Sequence, residues 1–243
     1  MDKDKEIIHW KRNVNKAEEV LGYTSKTMPL RQKRRIELFM DIAEIREGKD
    51  ILEIGCGTGN FTKGLAKSKA HIIAIDLSEE LLDLAKDKTF ENNVEFRVGD
   101  AENLPFGDNS FDAVVGNSVL HHCSLECALK EIKRVIKNGG KVIFSEPNML
   151  NPHVFLQKKI KYLKRLAGDS PGETAFFRWE LKKSFVWAGF TDIIIRPFDF
   201  LYPATPVCFI NTVNKLGLIL ERIPMLKEIA GSLIISANVR KDS

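Results

Sequence analysis

At 243 residues and 44% hydrophobic content, the chain can bury one full core, and one α/β domain with additions is favoured over two domains. A net charge of +4, with aromatic residues not interleaved among the cations, argues against nucleic acid as a partner. Met1–Lys5 is charged rather than apolar, no run approaches the roughly 18–20 uncharged apolar residues of a membrane span, and the four cysteines form no C-x-x-C pair, so a cytoplasmic protein with free thiols is expected.

In chain order, Lys5 to Gly48 reads as helical. Val14, Ala17 and Leu21 share one apolar face, and Ile36, Phe39, Met40 and Ala43 share another at the spacing of a helix packed on a core. Tyr23 falls between the two. An apolar strand (Ile51, Leu52, Ile54) then runs into Gly55-Cys56-Gly57-Thr58-Gly59. Glycine at three alternate positions removes every Cβ from one side of this turn and admits positive φ. Backbone N–H groups and the positive end of the next helix are left to meet a nucleotide-like ligand. The third glycine is Gly59, and Asn60 stands where the dinucleotide fingerprint needs glycine, which argues against NAD.

The β-branched run His71–Ile75 reads as a buried second strand ending in Asp76, about where α/β folds place a ribose-binding carboxylate. A third strand, Val94–Val98, leads into Gly99-Asp100-Ala101-Glu102-Asn103-Leu104-Pro105-Phe106. A fourth, Phe111–Gly116, leads into Asn117-Ser118-Val119-Leu120-His121-His122. A helix ending at Lys137-Asn138-Gly139 precedes a fifth strand, Gly140–Ser145. After an insert, Asn148–Phe177, a helix from Arg178 stops at Gly189. A sixth strand, Thr191–Pro197, and a last, Ser232–Arg240, are separated by a second insert, Phe198–Gly231. Final strands of this kind usually form a tight hairpin, so an insert this long must have structure of its own.

The succession from Lys49 to Pro147, with its E-x-G-x-G-x-G and G-D-A-x-x-L-P-F segments, resembles the class I S-adenosylmethionine (SAM)-dependent methyltransferases, in particular the group containing the ubiquinone- and menaquinone-biosynthesis enzymes. The resemblance implies a Rossmann-like seven-stranded α/β sheet with helices on both faces. Residues 1–48 would be a helical lid, 49–243 the catalytic domain, and the inserts 148–177 and 198–231 an acceptor cap. It also implies a site. Glu53 would sit near the cofactor's cationic end, Gly55, Cys56, Gly57 and Gly59 would wrap its amino-acid part, and Asp76 would chelate both ribose hydroxyls. Leu77 would lie on the adenine face and Asp100 would meet the adenine amino group, with Ala101, Glu102 and Asn117 completing the wall. Methyl transfer from a sulfonium is an in-line displacement governed by alignment and exclusion of water, leaving S-adenosylhomocysteine.

A hydroxyl or carbon acceptor must also lose a proton. His122, beside the end of the fourth strand, is the candidate base, with Glu146 as the alternative. His121, His122, Cys123 and Cys127 are close in sequence, but a strand end and a helix start should point them apart, and no metal site is assigned. His153 to Leu166 mixes Phe155, Leu156, Ile160, Leu163 and Leu166 with five cations. That composition suits a helix lying on an anionic lipid surface, and equally a helix packed on the core with a solvated basic face. Val207–Ile223 is more apolar and could line an acceptor pocket, touch a membrane or form a homodimer contact. The expected function is methyl transfer to oxygen or carbon of a small or lipid-linked acceptor, in the cytoplasm or at the inner membrane face. The alternative is a catalytically silent SAM-binding regulatory protein, marked by a blocked acceptor cavity.

Overall fold

The computed structural model describes residues 3–88, 92–166, 168 and 173–241, the side chain of Leu166 excepted. The expected place of Leu166 on an apolar face therefore lies outside the described residues, as do 167 and 169–172 of the first insert.

Before the sheet come α1 (Lys3–Asn13), a short α2 (Ala17–Val20) and α3 (Met28–Ile42). The core then alternates β1 (Asp50–Ile54), α4 (Asn60–Leu65), β2 (His71–Asp76), α5 (Glu79–Lys86), β3 (Val94–Val98), β4 (Phe111–Asn117), α6 (Leu125–Val135) and β5 (Ile136–Pro147). Next are α7 (Pro152–Lys159), α8 (Lys161–Leu166), α9 (Arg178–Trp187), β6 (Thr191–Phe198), α10 (Ile210–Leu220) and β7 (Ser232–Asn238). One seven-stranded sheet forms in the order β3-β2-β1-β4-β5-β7-β6, with β1 to β5 parallel and β7 antiparallel between β5 and β6. The two final strands pair antiparallel as expected, with the second insert between them.

The apolar runs of β1, β2 and β4 are buried because helices cover both faces of the sheet. Leu52, Val114 and Phe144 pack with Leu129, Ile132, Leu181 and Phe185 of α6 and α9 on one side. Ile51, Ile72 and Ile143 pack with Phe39 of α3 and Phe61 and Leu65 of α4 on the other. The seam between α3 and α4 is close: a Cβ on Gly64 would lie 1.9 Å from Ile36 Cδ1. Edge strand β3 carries charge, with Arg97 Nε 2.5 Å from Glu95 Oε1, which suits an unpaired edge.

Two expectations need correction. The helix before β5 ends at Val135 rather than at Gly139, and β5 starts at Ile136, which pairs with Phe111 before the register shifts to Lys141 and Ala113. The cause is ionic: Lys137 Nζ lies 2.8 Å from Asp112 and 3.0 Å from Asp50, drawing this segment onto the starts of β1 and β4. Burial alone would raise Asp112, but Lys137, the Asp50 N–H and Lys49 hold it down at about 2. The single basic helix expected over His153–Leu166 is two helices, broken at Ile160, whose φ of −94° and ψ of 111° are extended. Lys158 turns inward to pair with Glu173, and Lys164 Nζ donates to the Glu173 carbonyl, so α8 folds back around this carboxylate.

Candidate active site

The glycine turn has the left-handed backbone its sequence requires, with φ of 70° at Gly55, 53° at Gly57 and 73° at Gly59. Gly55 and Cys56 N–H donate to the Ile75 carbonyl at 2.8 and 3.0 Å, tying the turn to the end of β2. A Cβ at Gly55 would lie 2.4 Å from Val119 Cγ2. Asp76 ends β2 facing the turn, accepting from Gly57 N–H at 2.8 Å and from Ser78 N–H at 3.0 Å. Burial raises its carboxyl pKa, and these two N–H groups oppose that rise.

Around this turn lies a cleft of about 150 Å³. Gly55, Cys56, Gly57, Asp76 and Leu77 form one wall, and Ala101, Asn117 and His122 form another. Glu6, Ile7 and Trp10 of α1 close it from the side. Four other residues expected here do not line it. Gly59 caps α4. Glu53 is buried beneath the turn with Oε2 unpartnered among the described residues, and burial first, then Asp76, raises its carboxyl to about 8. Asp100 and Glu102 lie 2.6 and 3.0 Å from Lys3 Nζ of α1. The helical lid expected over residues 1–48 includes α1, but the sequence singled out none of Glu6, Ile7 and Trp10, although Ile7 and Trp10 stand at helical i, i+3 spacing.

A larger cleft of about 420 Å³ shares Leu21, Tyr23, Asn117 and Ser118 with the first. Ser118 holds φ of 59°, an uncommon conformation for a non-glycine residue and one often found at sites. The Tyr23 hydroxyl is held protonated well above its ordinary range, by burial and then by the Glu53 and Glu18 carboxylates. Both inserts contribute lining to this cleft, through Asn151, His153 and Lys158 of the first and Asp199, Leu201 and Tyr202 of the second. Their apolar side chains mostly face outward instead: Phe155, Leu156, Val207, Phe209, Leu216 and Ile219 are all exposed. The lining mixes polar with apolar surface, and Arg31 and Arg35 of α3 enter it, residues the sequence did not single out.

His121 and His122 do not diverge. Their ring centroids are 4.2 Å apart, and with Glu173 they bring three ligand-type atoms within 4.8 Å of one another, whereas Cys123 Sγ donates to the Val119 carbonyl and Cys127 is exposed. The histidines differ in setting. His121 is buried, with Nδ1 2.6 Å from Glu146 and Nε2 3.5 Å from Glu173. Burial alone would lower its pKa, but Glu146 and then Glu173 raise it to about 9, so it is an imidazolium at neutral pH. Glu146 also accepts from the Val119 and Leu120 N–H groups at 3.0 and 2.8 Å, fixing the loop after β4. His122 is half-buried in the smaller cleft, its Nδ1 3.2 Å from Glu6 Oε1.

Residues 52–144 match the family model for a methyltransferase domain. The chain is 35% identical over 175 residues to a demethylmenaquinone methyltransferase of Staphylococcus aureus, covering 63% of this chain and 73% of that protein. Its fold is similar to a Thermotoga maritima SAM-dependent methyltransferase described as a possible histamine N-methyltransferase (TM-score 0.69, 21% identity, 96% of this chain and 99% of that one). It is also similar to a Haloferax volcanii putative methyltransferase solved in complex with a methyltransferase activator (TM-score 0.66, 19% identity, 95% and 99% covered). The glycine cradle, the Asp76 carboxylate facing it and the orphaned Glu53 oxygen beneath it fit a nucleoside with a cationic tail. The chain belongs to the class I SAM-dependent methyltransferases, and its cofactor is S-adenosylmethionine.

Proposed function

We propose that this methyltransferase acts on oxygen or carbon of a small or lipid-linked acceptor seated in the larger cleft. The observation that carries this is the shared wall: an acceptor there meets the cofactor across Tyr23, Asn117 and Ser118. SAM supplies the methyl group; the acceptor's electron pair forms the new bond as the methyl–sulfur bond breaks, and S-adenosylhomocysteine is left. Gly55, Cys56 and Gly57 let backbone approach the amino-acid end, with Gly59 shaping the turn. Asp76, held by two N–H groups, keeps lone pairs for the ribose hydroxyls. Leu77 and Ala101 give apolar contact to the base. Glu53, whose carboxyl burial raises to about 8, would give up its proton beside the cationic tail and become its counter-charge, while Asp100 and Glu102 act indirectly by seating Lys3 and hence α1. The helices of residues 1–48 close over this cleft and exclude water.

His122 lines the smaller cleft beside Asn117, and we assign it as the base for an acceptor whose reacting atom reaches through the shared wall into that cleft. Its Nδ1 lies 3.2 Å from the Glu6 carboxylate, so Nε2 is the nitrogen we assign to accept the proton. His121 serves instead as a fixed positive post between Glu146 and Glu173. An open larger cleft supports an enzyme rather than a silent binding protein. Incubating the chain with SAM and a panel of quinols, phenols and acidic carbon compounds, and following S-adenosylhomocysteine by mass spectrometry, tests the reading. Release above the acceptor-free background supports it; tight SAM binding without release on any acceptor favours the silent protein.

One observation favours contact with an anionic lipid surface. Phe155, Leu156, Ile160 and Tyr162 are exposed beside Lys159, Lys161 and Arg165, and no helix among the described residues is long and apolar enough to cross a membrane. Lys158 belongs to the interior and not to this rim.

A further inference from the structure

Three helix positions on α3 reach into the second insert. Arg31 Nε and Arg35 Nη2 each lie 2.8 Å from the same oxygen, Asp199 Oδ2, while Asp199 Oδ1 accepts the Leu201 N–H at 3.0 Å. Between them, Arg34 forks onto Glu221 and lies over the Phe198 ring, its guanidinium carbon 4.6 Å from the centroid. Arg34 is thus matched by a carboxylate of its own. Arg31 and Arg35 must share one.

The side chains of Arg31, Arg35 and Asp199 are 14%, 8% and 4% exposed, so solvent does little to balance the surplus charge. Arg35 uses Nη2 on Asp199 and on Ser232 Oγ at 3.0 Å, yet its Nε is buried without a partner among the described residues. Arg31 uses only Nε of its fork in the hydrogen bonds that tie it to Asp199. A guanidinium offers five N–H donors in a plane matched to an oxyanion, and leaving such donors dry and unmatched is costly. Both arginines line the larger cleft. A lining that needed only to tie α3 to the insert would be met by an Arg34–Glu221 type of pair.

Resting on the acceptor-cleft reading above, we propose that the methyl acceptor carries a carboxylate or phosphate group, which docks on Arg31 and Arg35 and sets the acceptor's orientation toward the cofactor. The oxyanion supplies the second negative charge that Asp199 does not. It takes Nη donors of Arg31 and Arg35 that Asp199 and Ser232 leave unused, and it places the rest of the molecule along the cleft toward Ser118 and Asn117. This makes Arg31 and Arg35 specificity residues, with no part in the bond-making step.

Calorimetric titration of the full chain, saturated with S-adenosylhomocysteine, by inorganic phosphate and separately by benzoate tests this, with chloride matching ionic strength. The expected result is saturable binding of at least one anion, weakened about tenfold or more in Arg31→Gln and unchanged in Lys33→Gln, an exposed cation on the same helix. Phosphate binding alone identifies a phosphate-bearing acceptor, and benzoate binding alone a carboxylate-bearing one. If neither anion binds the wild-type chain better than chloride, or if Arg31→Gln binds as tightly as wild type, the proposal is overturned. The wild-type titration decides even where Arg31→Gln fails to fold. Failure of S-adenosylhomocysteine itself to bind would instead remove the underlying reading of the cofactor cleft, so the two failures are distinct.

Discussion

At the scale of single residues, Asp76 and the two histidines carry the sharpest expectations. Asp76→Ala removes the acceptor of the Gly57 and Ser78 N–H groups as well as the ribose contacts, each charge-assisted bond contributing about 1.5–3 kcal/mol. Calorimetry should show S-adenosylhomocysteine binding at least tenfold weaker; equal affinity would remove Asp76 from the site. His122→Ala should keep cofactor affinity and lower turnover on a hydroxyl or carbon acceptor by about 10²–10⁴-fold. An unchanged rate would mean that alignment alone suffices. His121 makes a pH prediction. Its folded pKa, raised from 6.5 to about 9, means the native chain holds this proton more tightly than the unfolded one. That stabilisation is fully present below pH 6.5 and is lost as pH rises through 9. Glu146→Gln should flatten this part of the stability–pH curve measured by urea denaturation, and a slope identical to wild type would contradict the ion-pair account. The glycine turn and Asp76 were legible because a turn's backbone needs and a strand-end carboxylate are written locally. Arg35 and Asp199, 164 positions apart, were not, since a basic run on a helix looks like a solvated face until its partner is in place.

At the scale of elements, strands were read well because β-branched apolar runs buried on both faces leave few alternatives. Each boundary that moved did so for a contact distant in sequence. β5 starts early because Lys137 answers Asp50, 87 positions away, and the basic helix breaks because Lys158 answers Glu173 across a break that hydrophobic periodicity cannot foresee. The α3–α4 seam gives a test at this scale. Gly64→Val would overpack Ile36 and should cost about 1–3 kcal/mol of stability, seen as a lower urea midpoint with an unchanged slope. An unaltered midpoint would mean the two helices separate freely.

At the scale of the molecule, the core is spent on the cofactor, and the two inserts give the chain its individuality. Sequence composition suggested that their apolar residues enclose the acceptor; folding turns many of them outward and leaves an arginine-bearing cleft of mixed polarity, because the charged residues find partners on α3 and Glu173. The outward rim should bind anionic vesicles better than neutral ones, and less so at high salt. Reversing Lys159, Lys161 and Arg165 to Glu should abolish that difference in a co-sedimentation assay. Binding insensitive to lipid charge, salt and reversal would leave the rim as a surface of another kind.

In the function proposed, one cleft holds the cofactor and presents its sulfur to the other. A crystal structure with S-adenosylhomocysteine tests it most directly. The ribose is expected on Asp76, the amino-acid end over Gly55 to Gly57, and the sulfur at the wall formed by Tyr23, Asn117 and Ser118. Density in another cavity, or a sulfur facing away from the arginine-lined cleft, would contradict it.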